Sequence, residues 1–330
     1  NQACLDHIFN GKLTSCLVNP RACHETTFSI TKAEFPKKVA VVGAGPAGMA
    51  CATTAAERGH DVTLFDAADR IGGQFNIAKQ IPGKEDFNET LRYFGKRIET
   101  TGVKLRLNTR AEAAALKADG FDHVVLATGI SPRKPAIPGI ESDKVATYLD
   151  IIEGRKVAGK SVAIIGAGGI GFDVGEFLTH AHDERSESER FNSEWGIDPT
   201  YASRGGLKPA VDEKAPRKVY LLQRKESKVG DGLAKTTGWI RRTLLKKRGV
   251  TMIPGVSYER IDEAGLHITV GGEAKTLPVD TIVVCAGQES RRELKAPLEA
   301  AGIPVTLIGG ADVAAELDAK RAIDQGTRVA

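Results

Sequence analysis

The sequence predicts an α/β protein of two Rossmann-like units, and three observations carry that prediction. At 39–48 the run VAVVGAGPAG passes from an apolar strand through Gly43, Gly45 and Gly48 into a stretch of helical composition over 47–58. The run VAIIGAGGIG repeats it at 162–171, an offset of 123 residues. A buried strand ending in a glycine turn, DHVVLATG at 122–129, returns as DTIVVCAG at 280–287.

Taken in order, residues 1–37 have weak periodicity and read as an irregular arm carrying Cys4, Cys16 and Cys23. The first glycine cradle follows. Gly43 permits the tight turn, Gly45 lets backbone approach a pyrophosphate, and Gly48 lets helix and strand pack closely, with the unpaired N–H groups of the helix start facing the phosphates. A strand at 62–65 closes on Asp66, 18 residues after Gly48, which is placed to accept from a ribose hydroxyl. Its negative charge repels a 2'-phosphate, so this cradle suits FAD or NAD and not NADP. Then come IGGQFN at 71–76, IPGKEDF at 81–87, a helix over 87–100, a strand over 103–107, the strand of 122–129 and the proline-rich crossing ISPRKPAIPG at 130–139.

The second copy differs from the first in two ways. Its crossing strand, VYLLQ at 219–223, lines up with VTLFD at 62–66, so the offset grows from 123 to 157 and 34 extra residues lie between helix and strand. That interval, about 180–216, is polar and reads as a surface insertion. Where the first copy has Asp66 the second has Gln223, followed directly by Arg224 and Lys225. A guanidinium holds two phosphate oxygens in a fork, so the cradle of Gly166, Gly168 and Gly171 with Arg224 and Lys225 suits NADPH. Lys235 and Trp239 in KTTGW are further candidates to line it, Trp239 having a core role as its alternative. Two such folds in one chain suggest FAD in the first and a nicotinamide in the second, with hydride passing from C4 of NADPH to N5 of the flavin. That step requires no side-chain acid, base or nucleophile, so no catalytic residue is assigned.

Composition narrows the alternatives. With 330 residues, 41% apolar and 27% charged, the chain can bury two ordinary cores. A formal charge of +4 spread along the chain gives no case for a nucleic-acid partner. No apolar run approaches the ~20 residues of a membrane helix and no signal-peptide pattern opens the chain, which predicts a cytoplasmic enzyme. The five cysteines include no C-x-x-C pair, and Cys51 and Cys285 sit in apolar patterns that predict packing roles. His180 and His182, two apart on a charged stretch, read as solvated.

The segments IGGQFNIAKQIPGKEDFNETLRYF, the double glycine pattern, QRKESK, GLAKTTGWIRRTLLKKRGVTMIPGVSY and LIGGADVAAELDAKRAIDQGTR together resemble the C-terminal half of bacterial NADPH-dependent 2,4-dienoyl-CoA reductase, a flavoprotein related to trimethylamine dehydrogenase. The resemblance implies an FAD/NAD(P)-binding fold with the NADP domain inserted into the FAD domain. Its segments here are an arm (1–37), a first FAD segment (38–150), an NADP domain (151–287) and a return segment (288–330). It implies FAD contacts from Gly43, Gly45, Ala47, Gly48, Asp66, Gly73, Gln74, Thr128 and Gly129. In the return segment it implies Gly310 and Asp312, the latter expected at the start of an amphipathic helix from about Ala314.

The family also carries a 4Fe-4S cluster on a cysteine-rich arm. Cys4 and Cys16 have the spacing of its last two ligands, so two further cysteines are expected upstream of Asn1, and these two alone cannot complete a cluster. An upstream TIM barrel holding FMN is expected to reduce the dienoyl-CoA in unsaturated fatty acid β-oxidation. The implied route is NADPH to FAD, then the cluster, then FMN. Two other readings stand beside it: a free-standing FAD-dependent NAD(P)H oxidoreductase with another acceptor, and a non-catalytic nucleotide-binding scaffold like the equivalent domains of trimethylamine dehydrogenase.

Overall fold

A computed structural model describes residues 2–181, 184–212, 214–315 and 318–330. The chain forms two compact units, one of residues 1–133 with 287–330 and one of residues 134–286.

In the first unit five parallel strands lie in the order Val305–Leu307, His123–Leu126, Lys38–Val42, Asp61–Phe65, Lys104–Arg106. Four of the five residues are buried in each of Lys38–Val42 and Asp61–Phe65. Parallel strands covered on both faces are apolar along their length instead of alternating, which is why these runs were legible as strands. The helix Pro46–Glu57 is buried from Ala47 to Ala55, and its Ala, Gly and Thr side chains let it lie close to the sheet. Met49, Leu64, Phe94, Ile308 and Ile323 join it in one core, each large side chain contributing ~1.5–3 kcal/mol by leaving water. The closing helix Ala319–Val329 crosses here at Gly326, where any Cβ would overlap the Ala47 carbonyl.

The second unit repeats the plan, with parallel strands in the order Val145–Thr147, Thr281–Val284, Ser161–Ile165, Lys218–Leu222, Thr251–Ile253. The helix Gly169–Thr179 stands where Pro46–Glu57 stands in the first unit. A three-stranded antiparallel sheet of Val256–Asp262, Gly265–Val270 and Glu273–Leu277 follows, packed through Val256, Ile261, Leu266 and Ile268.

Several expectations are corrected. Residues 134–150, assigned from sequence to the first FAD segment, lie in the second unit because Val145–Thr147 pairs with Thr281–Val284. The arm is not wholly irregular, since Gln2–Phe9 is a helix. The insertion is a folded element. Its helix Glu187–Trp195 is opened by a capping box of Ser186 and Glu189, and Ile197 bridges to Leu207. Glu194 and Arg248 then form a two-pronged ion pair at 2.9 and 3.0 Å, with side chains 4% and 6% exposed. His180 is not solvated but 4% exposed, its Nε2 3.3 Å from Glu187 Oε1. His182 lies outside the described residues. The amphipathic closing helix begins at Ala319, capped by Asp318, whose carboxylate accepts the Lys320 N–H at 2.9 Å. Asp312 instead ends the short 3-10 turn Gly309–Ala311.

Candidate functional site: two glycine cradles

Each cradle sits where the central strand of its sheet turns into a helix, at the carboxyl end of the strand from which the sheet grows in both directions, the position where such sheets bind ligands. Gly43 and Gly166 both have φ +108°, a region closed to side-chain-bearing residues at low cost. A Cβ on either would overlap a carbonyl of the neighbouring strand end, Ala127 in one unit and Cys285 in the other. A Cβ on Gly48 or Gly171 would overlap the Gly43 or Gly166 carbonyl. The third glycine is thus required by the first, which explains the spacing in both copies.

The helix starts are left open. Gly45 and Gly168 are the N-cap residues of Pro46–Glu57 and Gly169–Thr179, and neither helix has a side-chain cap. Thr147, Ser186 and Asp318 cap the helices that follow them, while Phe87–Thr101 and Gly238–Lys247 also lack a side-chain cap, so it is the glycine turn together with the open helix start that marks the cradles. A Cβ built on Gly45 or Gly168 meets nothing within 4 Å. Uncapped N–H groups facing open space fit a pyrophosphate, whose charge favours the positive end of the helix dipole.

Around the first cradle the unit gathers the other residues singled out from sequence. Gly72 donates to the Ala44 carbonyl at 2.8 Å, and a Cβ on Gly73 would lie 3.0 Å from Gly45 Cα, so the Gly72–Gly73–Gln74 turn lies against the cradle. The Asp66 carboxylate accepts the N–H of Ala44 at 2.7 Å and of Ala68 at 2.8 Å. Thr128 Oγ1 donates to the Arg291 carbonyl at 2.6 Å, and Gly310 packs so closely on Gly129 that a Cβ would lie 3.2 Å from its carbonyl carbon. Gly309 similarly meets Ala47. Gln325, which the sequence reading missed, fixes this return segment: its Nε2 donates to Asp312 Oδ2 at 2.7 Å and its Oε1 accepts the Gly309 N–H at 2.8 Å.

The second cradle has the opposite electrostatics. Gln223 is more than a missing acid: its Nε2 donates to the carbonyls of Lys225 and Ser227 at 3.0 and 2.8 Å, shaping the loop that presents Arg224 and Lys225. Both cations are exposed and have no side-chain hydrogen bond or ion pair among the described residues. Trp239 is 56% exposed at the start of the helix Gly238–Lys247, which rules out its core alternative. Lys235 is exposed in the turn before it. Arg241 of that helix is ion-paired with Glu176 at 2.7 Å and with Asp173, holding it to Gly169–Thr179.

Cys51 and Cys285 supply no reactive thiolate. All five cysteines are free thiols. Burial pushes the Cys51 thiol up to about 12, and burial together with the Asp173 carboxylate pushes Cys285 higher still. Cys4 and Cys16 are both half-buried, and no group of three or more His, Cys, Asp or Glu among the described residues could hold a metal ion. A cavity of about 390 Å³ in the first unit, lined by Lys37, Cys51, His60, His123 and Thr306, opens at the amino ends of the strands and touches none of the cradle residues. No helix among the described residues is long and apolar enough to cross a membrane.

Parallel sheets with paired, uncapped glycine cradles define a protein of the FAD/NAD(P)-binding α/β class. The chain belongs to the pyridine nucleotide-disulphide oxidoreductase family, whose model matches residues 37–322. Membership implies a flavoprotein oxidoreductase that binds FAD and NAD(P)H. The chain is 32% identical to a metal reductase of Desulforamulus reducens over 94% of its own length and 46% of that protein. Among solved structures it is similar to a 2-naphthoyl-CoA reductase in complex with 2-naphthoyl-CoA (TM-score 0.82, 30% identity, 99% of this chain and 45% of that one). Histamine dehydrogenase from Rhizobium sp. 4-9 shares the fold (TM-score 0.79, 22% identity, 99% and 47%). The chain thus spans about half the length of the relatives it matches.

Proposed function

We propose that this chain is the electron-input half of a reductase of the 2,4-dienoyl-CoA type, taking NADPH at the second cradle and FAD at the first. The observation that carries the reading is the inversion of charge past otherwise matching cradles, Asp66 in one and Gln223, Arg224 and Lys225 in the other. When bound, FAD accepts hydride from the reduced nicotinamide and releases electrons onward. The chain's own residues bind and orient. Uncapped N–H groups after Gly45 and Gly168 hold the pyrophosphates, Asp66 accepts from an adenosine ribose while bracing Ala44, and Gly310 with Asp312 borders the flavin. Arg224 and Lys225 neutralise the 2'-phosphate, and Trp239 offers an exposed aromatic face for the nicotinamide nucleotide.

The likeness to a reductase solved with an aromatic acyl-CoA supports an acyl-CoA as the final acceptor, and the sequence resemblance alone points to a dienoyl-CoA of unsaturated fatty acid β-oxidation. The half-length match supports a further domain in the parent enzyme, which we take to be the FMN-binding TIM barrel. Cys4 and Cys16 do not make a cluster on their own, so the 4Fe-4S centre belongs to this proposal only as a feature of the longer enzyme. Free thiols at all five cysteines agree with a reducing, cytoplasmic setting.

Anaerobic titration of the chain reconstituted with FAD tests the reading. NADPH is expected to bleach the flavin much faster than NADH does. A chain that stays colourless after FAD is supplied would mean a scaffold, and equal rates with both nucleotides would remove the 2'-phosphate assignment.

A further inference from the structure

Two backbone bonds tie the strand Val256–Asp262 to the cation-bearing loop: Val256 N–H donates to the Gln223 carbonyl and Gly255 N–H to the Lys225 carbonyl, both at 3.0 Å. Tyr258, two residues past Val256, shares its inward face, and its ring packs at the edge of the core. The pairing with Gly265–Val270 then slips, because Tyr258 lies opposite Ile268 and Arg260 opposite His267, leaving Glu259 unpaired. This bulge resets the strand so that Ile261, not Arg260, is the next buried residue. Bulges of this kind re-aim side chains beside functional sites. The Tyr258 hydroxyl is shielded from solvent and has no hydrogen-bond partner among the described residues. Burial raises the phenol against the pull of the nearby Arg224 charge, so the group remains an O–H donor at neutral pH.

A shielded hydroxyl without an acceptor is disfavoured unless something arrives to accept from it. We infer that the Tyr258 hydroxyl is a second recognition group for the 2'-phosphate of NADPH, donating to one phosphate oxygen while the Arg224 guanidinium holds the others. The exposed Arg224 side chain has no ion pair to break among the described residues, so its charge is available to the phosphate. The aromatic ring supplies what a lysine cannot, a fixed donor that discriminates by geometry. The inference rests on the assignment of NADPH to the second cradle and adds to it a residue that the charge pattern past Leu222 does not reveal.

Calorimetric titration of the FAD-reconstituted chain with 2',5'-ADP and with 5'-AMP tests it without turnover. The unaltered chain is expected to bind 2',5'-ADP more tightly, and Tyr258→Phe to weaken 2',5'-ADP about tenfold while leaving 5'-AMP unchanged. Because phenylalanine keeps the ring and removes only the orphan hydroxyl, the ligand-free variant is expected to melt no lower than the parent. Unchanged 2',5'-ADP affinity in Tyr258→Phe, with Arg224→Ala losing the preference, would overturn the role of Tyr258 alone. Equal affinity for both probes in the unaltered chain would overturn it together with the NADPH assignment.

Discussion

The carboxylate of Asp66 accepts the backbone N–H of Ala44 at 2.7 Å, so the residue read as a ribose ligand also holds the glycine turn in shape. Replacing it with alanine leaves that N–H half-buried without its partner, at a cost of ~1–3 kcal/mol. Asp66→Ala is therefore expected to lower the melting temperature of the ligand-free chain as well as its retention of FAD, both measurable by calorimetry and flavin absorbance. A variant that loses FAD at unchanged stability would confine Asp66 to the ligand.

Gly171→Ala places a methyl group on the Gly166 carbonyl. The turn of the second cradle must then open, while the first unit keeps its own glycines. The expected outcome is a yellow, FAD-loaded chain that NADPH no longer bleaches.

Under the proposed NADPH assignment, Arg224→Ala removes a charge-assisted bond to the 2'-phosphate and is expected to weaken NADPH by ~1.5–3 kcal/mol while leaving NADH almost untouched. Binding constants for the two nucleotides, measured side by side, decide it. Equal losses would mean that the guanidinium contacts a part common to both.

The buried pair Glu194–Arg248 fastens the insertion to the end of the helix Gly238–Lys247. Breaking one side strands a buried charge, so Glu194→Ala is expected to destabilise the chain by ~3–5 kcal/mol in denaturant unfolding. The double change Glu194→Leu with Arg248→Met is expected to recover most of that loss.

Asp198 organises the loop that follows the helix Glu187–Trp195. Its carboxylate accepts from the Thr200 hydroxyl at 2.6 Å and from the Ser203 N–H at 2.7 Å, which hold it at about 2, below the ordinary 3.8. A depressed carboxylate stabilises the fold above its unfolded value and loses that contribution as pH falls towards its folded value. Stability should therefore decline between about pH 4 and pH 2. Unfolding of Asp198→Asn followed across that window is expected to show a shallower decline.

Both cradles and their sheets were legible in the sequence because the signals are local. An apolar run of buried parallel strand, a glycine at φ +108° and a third glycine beneath its carbonyl all lie within ten residues. Gln325 was not legible, since the groups it holds, Gly309 and Asp312, lie 16 and 13 residues away and nothing in its own neighbourhood marks it. Glu194 and Arg248, 54 apart, are coupled only by packing. The antiparallel sheet at 256–277 did leave a signal, short polar and apolar alternations broken at DEAG and VGGE, which is weaker than the repeat that drew the reading elsewhere. Asp312 was expected at a helix start because it precedes an amphipathic stretch, whereas the side chain that closes that helix belongs to Asp318.

No side chain closes the leading ends of Pro46–Glu57 and Gly169–Thr179. Under the proposed assignment, dissolved nucleotide acts as a missing residue of each unit, and the folding equilibrium carries its concentration as a variable. Every tenfold rise above the dissociation constant adds ~1.4 kcal/mol to the unit it enters, so the supply of each nucleotide governs how long this protein endures as well as how fast it turns over.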